Sequence, residues 1–194
     1  GTNIKYGRHI PSFATLFSQR LRGTHNSYWN ADGGSGPSLS GACVSRFVPP
    51  ETRVGMVEFL PNIGYIKDDR AELMAIKRLL QMMRVRGAAA FLVNILAGSV
   101  LFERNLKGGA VPCGRWNQTL RDANVIGCMS RQRVERLSAE LETIARATGA
   151  NVISIDADEK PELFGADSFH LNTNGHRLVF NEMWKTYLAQ PCPP

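Results

Sequence analysis

The sequence predicts a three-layer α/β/α domain built on a doubly wound parallel sheet. Three observations carry this expectation. Strand-like and helix-like hydrophobic patterns alternate along the chain. One apolar run, Ala88–Leu96, is continuous, as in a strand buried on both faces. At 194 residues, 43% hydrophobic and 21% charged, the chain has the size and composition of one ordinary domain, 1–194.

The elements follow in order. Pro11–Leu21 carries Phe13, Leu16, Phe17 and Leu21 at helical spacing, with proline near the start. His25–Trp29 reads as a short strand before the breaker-rich Asp32–Pro37 loop. Val54–Leu60 is the next strand, stopped by Pro61. Asp69 with Glu72 makes a capping-box-like start for a helix that places Leu73, Ile76, Leu79, Leu80 and Met83 on one face, and Gly87 ends it. After the buried strand at 88–96, Ser130 opens a helix with Val134, Leu137, Leu141 and Ile144 inward and Gly149 as its stop. Asn151–Ile155 is a strand, and a last helix from near Thr173 carries Leu178, Val179, Met183, Trp184 and Leu188. Alternation of this kind calls for a parallel sheet with helices on both faces.

Composition excludes several function classes. No run of about 18 apolar residues exists, so no membrane span is expected. The net charge is +6, from 23 Lys and Arg against 17 Asp and Glu. The arginines are scattered and the aromatic residues are not interleaved with them, so no nucleic-acid partner is expected. The four cysteines include no C-x-x-C pair, which argues against a zinc site or a thioredoxin-type motif.

Those cysteines point instead to an oxidising compartment. Cys113 and Cys128 bracket a polar stretch that reads as a long loop, and a bridge across it would contribute about 3 kcal/mol on the chain-entropy argument. Within that loop Asn117-Gln118-Thr119 is an N-glycosylation sequon. Both modifications require the secretory pathway, so secretion is expected, with Asn117 glycosylated. Four cysteines allow three pairings; joining Cys113 to Cys128 leaves Cys43 with Cys192 by elimination.

The chemistry concentrates in Asp167-Ser168-Phe169-His170-Leu171-Asn172, followed by Gly175-His176. An aspartate three residues before a histidine, in a turn before a helix, can hold one imidazole nitrogen and leave the other as a general base. Asn62 falls just past a strand end, where α/β sheets form their ligand crevice, and its amide could donate to an oxyanion. The Gly33–Gly36 loop follows the preceding strand at the same edge and offers backbone N–H donors, from Gly34 or Gly36. His9 and His25 lack an acidic residue at a suggestive spacing, His176 reads as packing or capping, and Asp156 and Asp158 read as solvated loop carboxylates.

Over essentially its whole length the chain resembles the SGNH (GDSL-type) hydrolase family, whose fold is flavodoxin-like. The Asp167–Asn172 segment with Gly175-His176 is similar to the family's last block. Val57-Glu58-Phe59 ending at Asn62 resembles the block bearing the oxyanion asparagine, although Ile63 stands where the family often has aspartate. Gly34-Ser35-Gly36 resembles the glycine block. The resemblance implies a serine esterase or acyl transferase acting on acyl esters, O-acetyl groups of carbohydrates among them, without a metal or other cofactor. His170 and Asp167 would be catalytic, with Asn62, Gly34 and Gly36 as oxyanion donors.

The family's Gly-Asp-Ser block has no counterpart. Gly1-Thr2-Asn3 leads almost directly to the Pro11 helix, with no apolar strand before it. A central first strand cannot be deleted without exposing its neighbours' ladder groups. The expectation is therefore that the first strand and its serine lie upstream or in an N-terminal fragment of the same precursor. Ser12, where capping is the plainer reading, and Ser35 are the rivals within the chain. The alternative function is a non-catalytic binding or structural module of an extracellular assembly.

Overall fold

Three strands, β1 (Val54–Val57), β2 (Ala89–Leu96) and β3 (Asn151–Asp156), pair in parallel in that order. They belong to a computed structural model that describes residues 11–21, 37–60, 69–96, 131–165 and 170–189. Val54 lies opposite Ala89 and Val57 opposite Leu92; on the other side Phe91 pairs with Asn151 and Leu96 with Asp156. All eight residues of β2 are buried, as its unbroken apolar run requires of a middle strand covered on both faces.

The six helices among the described residues are α1 (Phe13–Arg20), α2 (Ser38–Ala42), α3 (Val44–Phe47), α4 (Arg70–Val85), α5 (Arg131–Ala147) and α6 (Thr173–Leu188). They form a layer on each face of the sheet, and the period-2 alternation of β2 sorts its side chains between two cores. Ala90, Leu92 and Leu96 meet α4 and α5 through residues such as Ile76, Leu80, Leu137 and Leu141. Ala89, Phe91, Val93 and Ile95 meet α1 and α6 through Phe13, Phe17, Val179 and Met183. The three-layer α/β/α architecture expected from the sequence is therefore present. The strand expected at His25–Trp29, and the first strand expected before the Pro11 helix, fall outside the described residues.

Local signals account for most boundaries. Ser12 caps α1, its hydroxyl accepting from the Thr15 N–H at 3.2 Å. Gly87 and Gly149 follow α4 and α5 with φ of 71° and 70°, a left-handed stop that glycine adopts without strain.

Two local expectations are corrected. Asp69 precedes α4 as proposed, but its side chain makes no cap bond. Its carboxylate instead takes Arg133 at 3.3 Å and Arg136 at 2.5 Å, tying α4 to α5. β1 ends at Val57 rather than Leu60, because Leu60 turns into the core on the α4 side and leaves the ladder.

One polar pair crosses the α5 core. Asn94 of β2 donates to the Ser138 hydroxyl at 2.6 Å, both residues being buried, while the Asn94 Oδ1 has no partner.

Candidate active site

The segment carrying His170 is held by a small set of backbone and side-chain bonds. After β3 the chain makes a 3-10 turn at Pro161–Leu163, and Phe164 then pairs with Leu171 in an isolated antiparallel bridge. The Gly165 N–H donates to the His170 carbonyl at 2.8 Å, and the Asn172 N–H donates to the Leu163 carbonyl at 2.9 Å.

Asn172 is the hub. Its Oδ1 accepts from the N–H groups of Asn174 and Gly175, capping α6. Its Nδ2 donates to the carbonyls of Glu162 and Phe164 at 2.8 and 2.9 Å. Leu171, buried between, anchors the segment in the α1/α6 core. His170 is thus exposed, yet its backbone is fixed at the start of α6, beside the carboxyl end of β3.

Gly175 belongs to the same construction. A Cβ there would stand 2.3 Å from the Leu163 carbonyl oxygen, so only glycine lets the first turn of α6 lie this close to the 3-10 turn. One residue on, His176 is buried against the Phe13 ring, with centroids 5.8 Å apart, and its Nδ1 has no hydrogen-bond partner. Burial pulls its pKa down to about 4, and the charge of His170 acts in the same direction. His176 is therefore a neutral packing residue at ordinary pH, as its sequence context suggested.

Glu58 was not singled out from the sequence. It follows β1 immediately and is half-buried. Burial pushes its carboxyl above the ordinary carboxylate range, and the His170 charge partly opposes that shift. A charged residue at a strand end reads as solvated. The available signal was that Glu58 continues the alternation of Val54 and Met56, which pack into the α1/α6 core.

Of the residues expected to do chemistry, His170 is described and takes the position just given. Asp167, Asn62, Gly34, Gly36 and Ser35 lie outside the described residues, as do Cys113, Cys128, Cys192 and Asn117. Cys43 is exposed with a free thiol, which corrects the expected Cys43–Cys192 pairing. Ser12 is accounted for by its cap. Asp156 and Asp158 form a turn after β3, the Asp158 N–H donating to the Asp156 carboxylate at 2.9 Å. Among the described residues no three His, Cys, Asp or Glu side chains gather into a group that could hold a metal.

No family model matches the chain, and no curated protein matches it. Among solved structures it is similar to the psychrotrophic esterase EstA from Pseudoalteromonas sp., in a crystal structure inhibited by monoethylphosphonate. The identity is 14% and the TM-score 0.59, over 94% of this chain and 91% of that one. At that identity the likeness is one of fold, and it agrees with the three-layer α/β/α architecture expected from the sequence.

Proposed function

We propose that the protein is a serine esterase or acyl transferase of SGNH type, with His170 as general base. The observation that carries this reading is the placement of His170. It stands on a segment clamped by Asn172 at the start of α6, beside the carboxyl end of a parallel sheet, where α/β folds assemble their sites. The esterase-like fold supports the same reading.

In the proposed mechanism a serine hydroxyl attacks the acyl carbonyl and passes its proton to His170, which returns it to the leaving alcohol. Asp167 orients the ring, while Asn62 and an N–H of Gly34 or Gly36 hold the oxyanion. The substrate is an acyl ester, with O-acetylated carbohydrate as the favoured class. Secretion, a Cys113–Cys128 bridge and a glycan on Asn117 complete the proposal; non-reducing peptide mapping with mass spectrometry of protein from its natural source tests the bridge and the glycan.

Hydrolysis of p-nitrophenyl acetate, together with labelling by a fluorophosphonate probe, tests the activity. His170→Asn is expected to lower kcat/KM by about 10³-fold or more, as loss of a triad base does. Absence of both turnover and label in the wild-type protein overturns the reading in favour of a non-catalytic binding module.

A further inference from the structure

We propose that Asn172 is a positioning residue for His170, its side-chain amide holding the histidine segment to the 3-10 turn separately from its work as a helix cap. The inference rests on the esterase reading and adds a residue to the same site.

The amide is used at every hydrogen-bonding position it has. Its Oδ1 accepts from the N–H groups of Asn174 at 2.9 Å and Gly175 at 3.1 Å, which is the cap. Its Nδ2 donates to the carbonyls of Glu162 at 2.8 Å and Phe164 at 2.9 Å, which is the clamp. A primary amide carries two donor hydrogens and two acceptor lone pairs, so none is left over. The partners also fix its orientation, since a flipped amide would set N–H against N–H and oxygen against oxygen. Serine or aspartate can cap a helix, but neither can also donate to two carbonyls.

The clamp reaches His170 through the backbone. Phe164 and Leu171 face each other in an isolated antiparallel bridge. Its flanking bonds run from the Gly165 N–H to the His170 carbonyl at 2.8 Å, and from the Asn172 N–H to the Leu163 carbonyl at 2.9 Å. Even a two-stranded hairpin is marginal by itself in water, so a bridge this short needs further support. The Asn172 amide adds two bonds to the same stretch, one on each side of Leu163. The Phe164 and Leu171 side chains are buried in the α1/α6 core, and Gly175 lets the first turn of α6 close on the Leu163 carbonyl. The His170 carbonyl is thus tied to a frame that Asn172 joins together.

Such a frame matters to a general base. The base must come within about 2.6–3.2 Å of the proton it takes, and a misplacement of about 1 Å can cost about 10²-fold in rate. Asn172 acts through its neighbour's backbone and carries no charge. Losing its donors should therefore lower the share of molecules with the base in place and leave the proton affinity of that base unchanged.

Asn172→Ser separates the two halves of the amide, because the hydroxyl keeps a cap acceptor and lacks the paired donors. Amide hydrogen exchange reads the clamp without requiring turnover. In Asn172→Ser the Gly165 amide is expected to exchange at least about tenfold faster, with the Val179 and Met183 amides of α6 unchanged. Unchanged exchange at Gly165 overturns the proposal. So does an equal rise along α6, which would make Asn172 a helix cap alone.

Kinetics then tests the role. Asn172→Ser and Asn172→Asp, which both keep a cap, are expected to lower kcat about tenfold with KM within about twofold. The acid limb of kcat/KM should stay at its wild-type pH in Asn172→Ser. Wild-type kcat in either variant, or a loss that only follows the unfolded fraction, overturns the positioning role. A wild-type protein without turnover sinks the esterase reading alone, and the Gly165 amide still decides whether Asn172 holds the His170 backbone.

Discussion

At the scale of single residues, His176 shows how packing sets chemistry. An imidazole enclosed by the first turn of α6 and the Phe13 ring, with Nδ1 unpartnered, has no compensation for a positive charge. Its folded pKa of about 4 lies below the value of about 6.5 for an unfolded histidine, so between those values the unfolded chain binds a proton that the folded one refuses. The contribution is fully present above pH 6.5 and is lost as pH falls through 4, about 3 kcal/mol in all. Urea unfolding at pH 7 and pH 4 should register this loss in the wild type, and His176→Phe should remove most of it. An equal acid loss in the variant would show that other groups drive it. Legibility in the sequence divides along the same line. The clamp before α6 is readable because Asn172 makes its bonds to near neighbours. The raised pKa of Glu58 is not, because burial at a strand end depends on segments far away in the sequence.

At the scale of elements, the sequence located β2, α4, α5, β3 and α6 because each carries its own signal. β2 is an apolar run, α4 and α5 are amphipathic and glycine-stopped, and α6 is capped by Asn172. The capping box at Asp69 was misread for a physical reason. The carboxylate finds a stronger partner in the α5 guanidinium groups than in its own helix, and that partner is more than sixty residues away. Gly175 is the opposite case, a local residue whose purpose shows only in three dimensions. A methyl group there would press on the Leu163 carbonyl and force the first turn of α6 off the 3-10 turn. Gly175→Ala should therefore cost about 1–3 kcal/mol, as overpacking does, although alanine is the better helix former. On the proposed esterase reading it should also lower ester hydrolysis, because the displaced turn carries His170 with it. A variant as stable as wild type would show that the turn can relax without cost.

At the scale of the whole molecule, two separate cores share one strand. Every second residue of β2 belongs to the α4/α5 core and the others to the α1/α6 core, so neither layer can loosen without unbacking β2. The α1/α6 layer joins helices from the two ends of the described chain, and Phe17 is its centre. It is 1% exposed and packs on Phe91 of the sheet and on Phe180, Trp184 and Tyr187 of α6, with centroids 5.4–6.4 Å away. Phe17→Ala should cost about 3–5 kcal/mol, and Leu141→Ala in the opposite core about 2–5 kcal/mol. Because the strand is shared, both losses should appear as a shift of one cooperative transition rather than as a new early one. Amide exchange along β2 separates the possibilities. If the layers form one unit, either substitution lowers protection by the same amount at neighbouring β2 amides, from Phe91 through Ile95. If Phe17→Ala released α1 and α6 while β2 kept its wild-type protection, the layer carrying His170 would be a separately unfolding lid on the sheet. The fixed edge geometry on which the His170 site depends would then hold only part of the time.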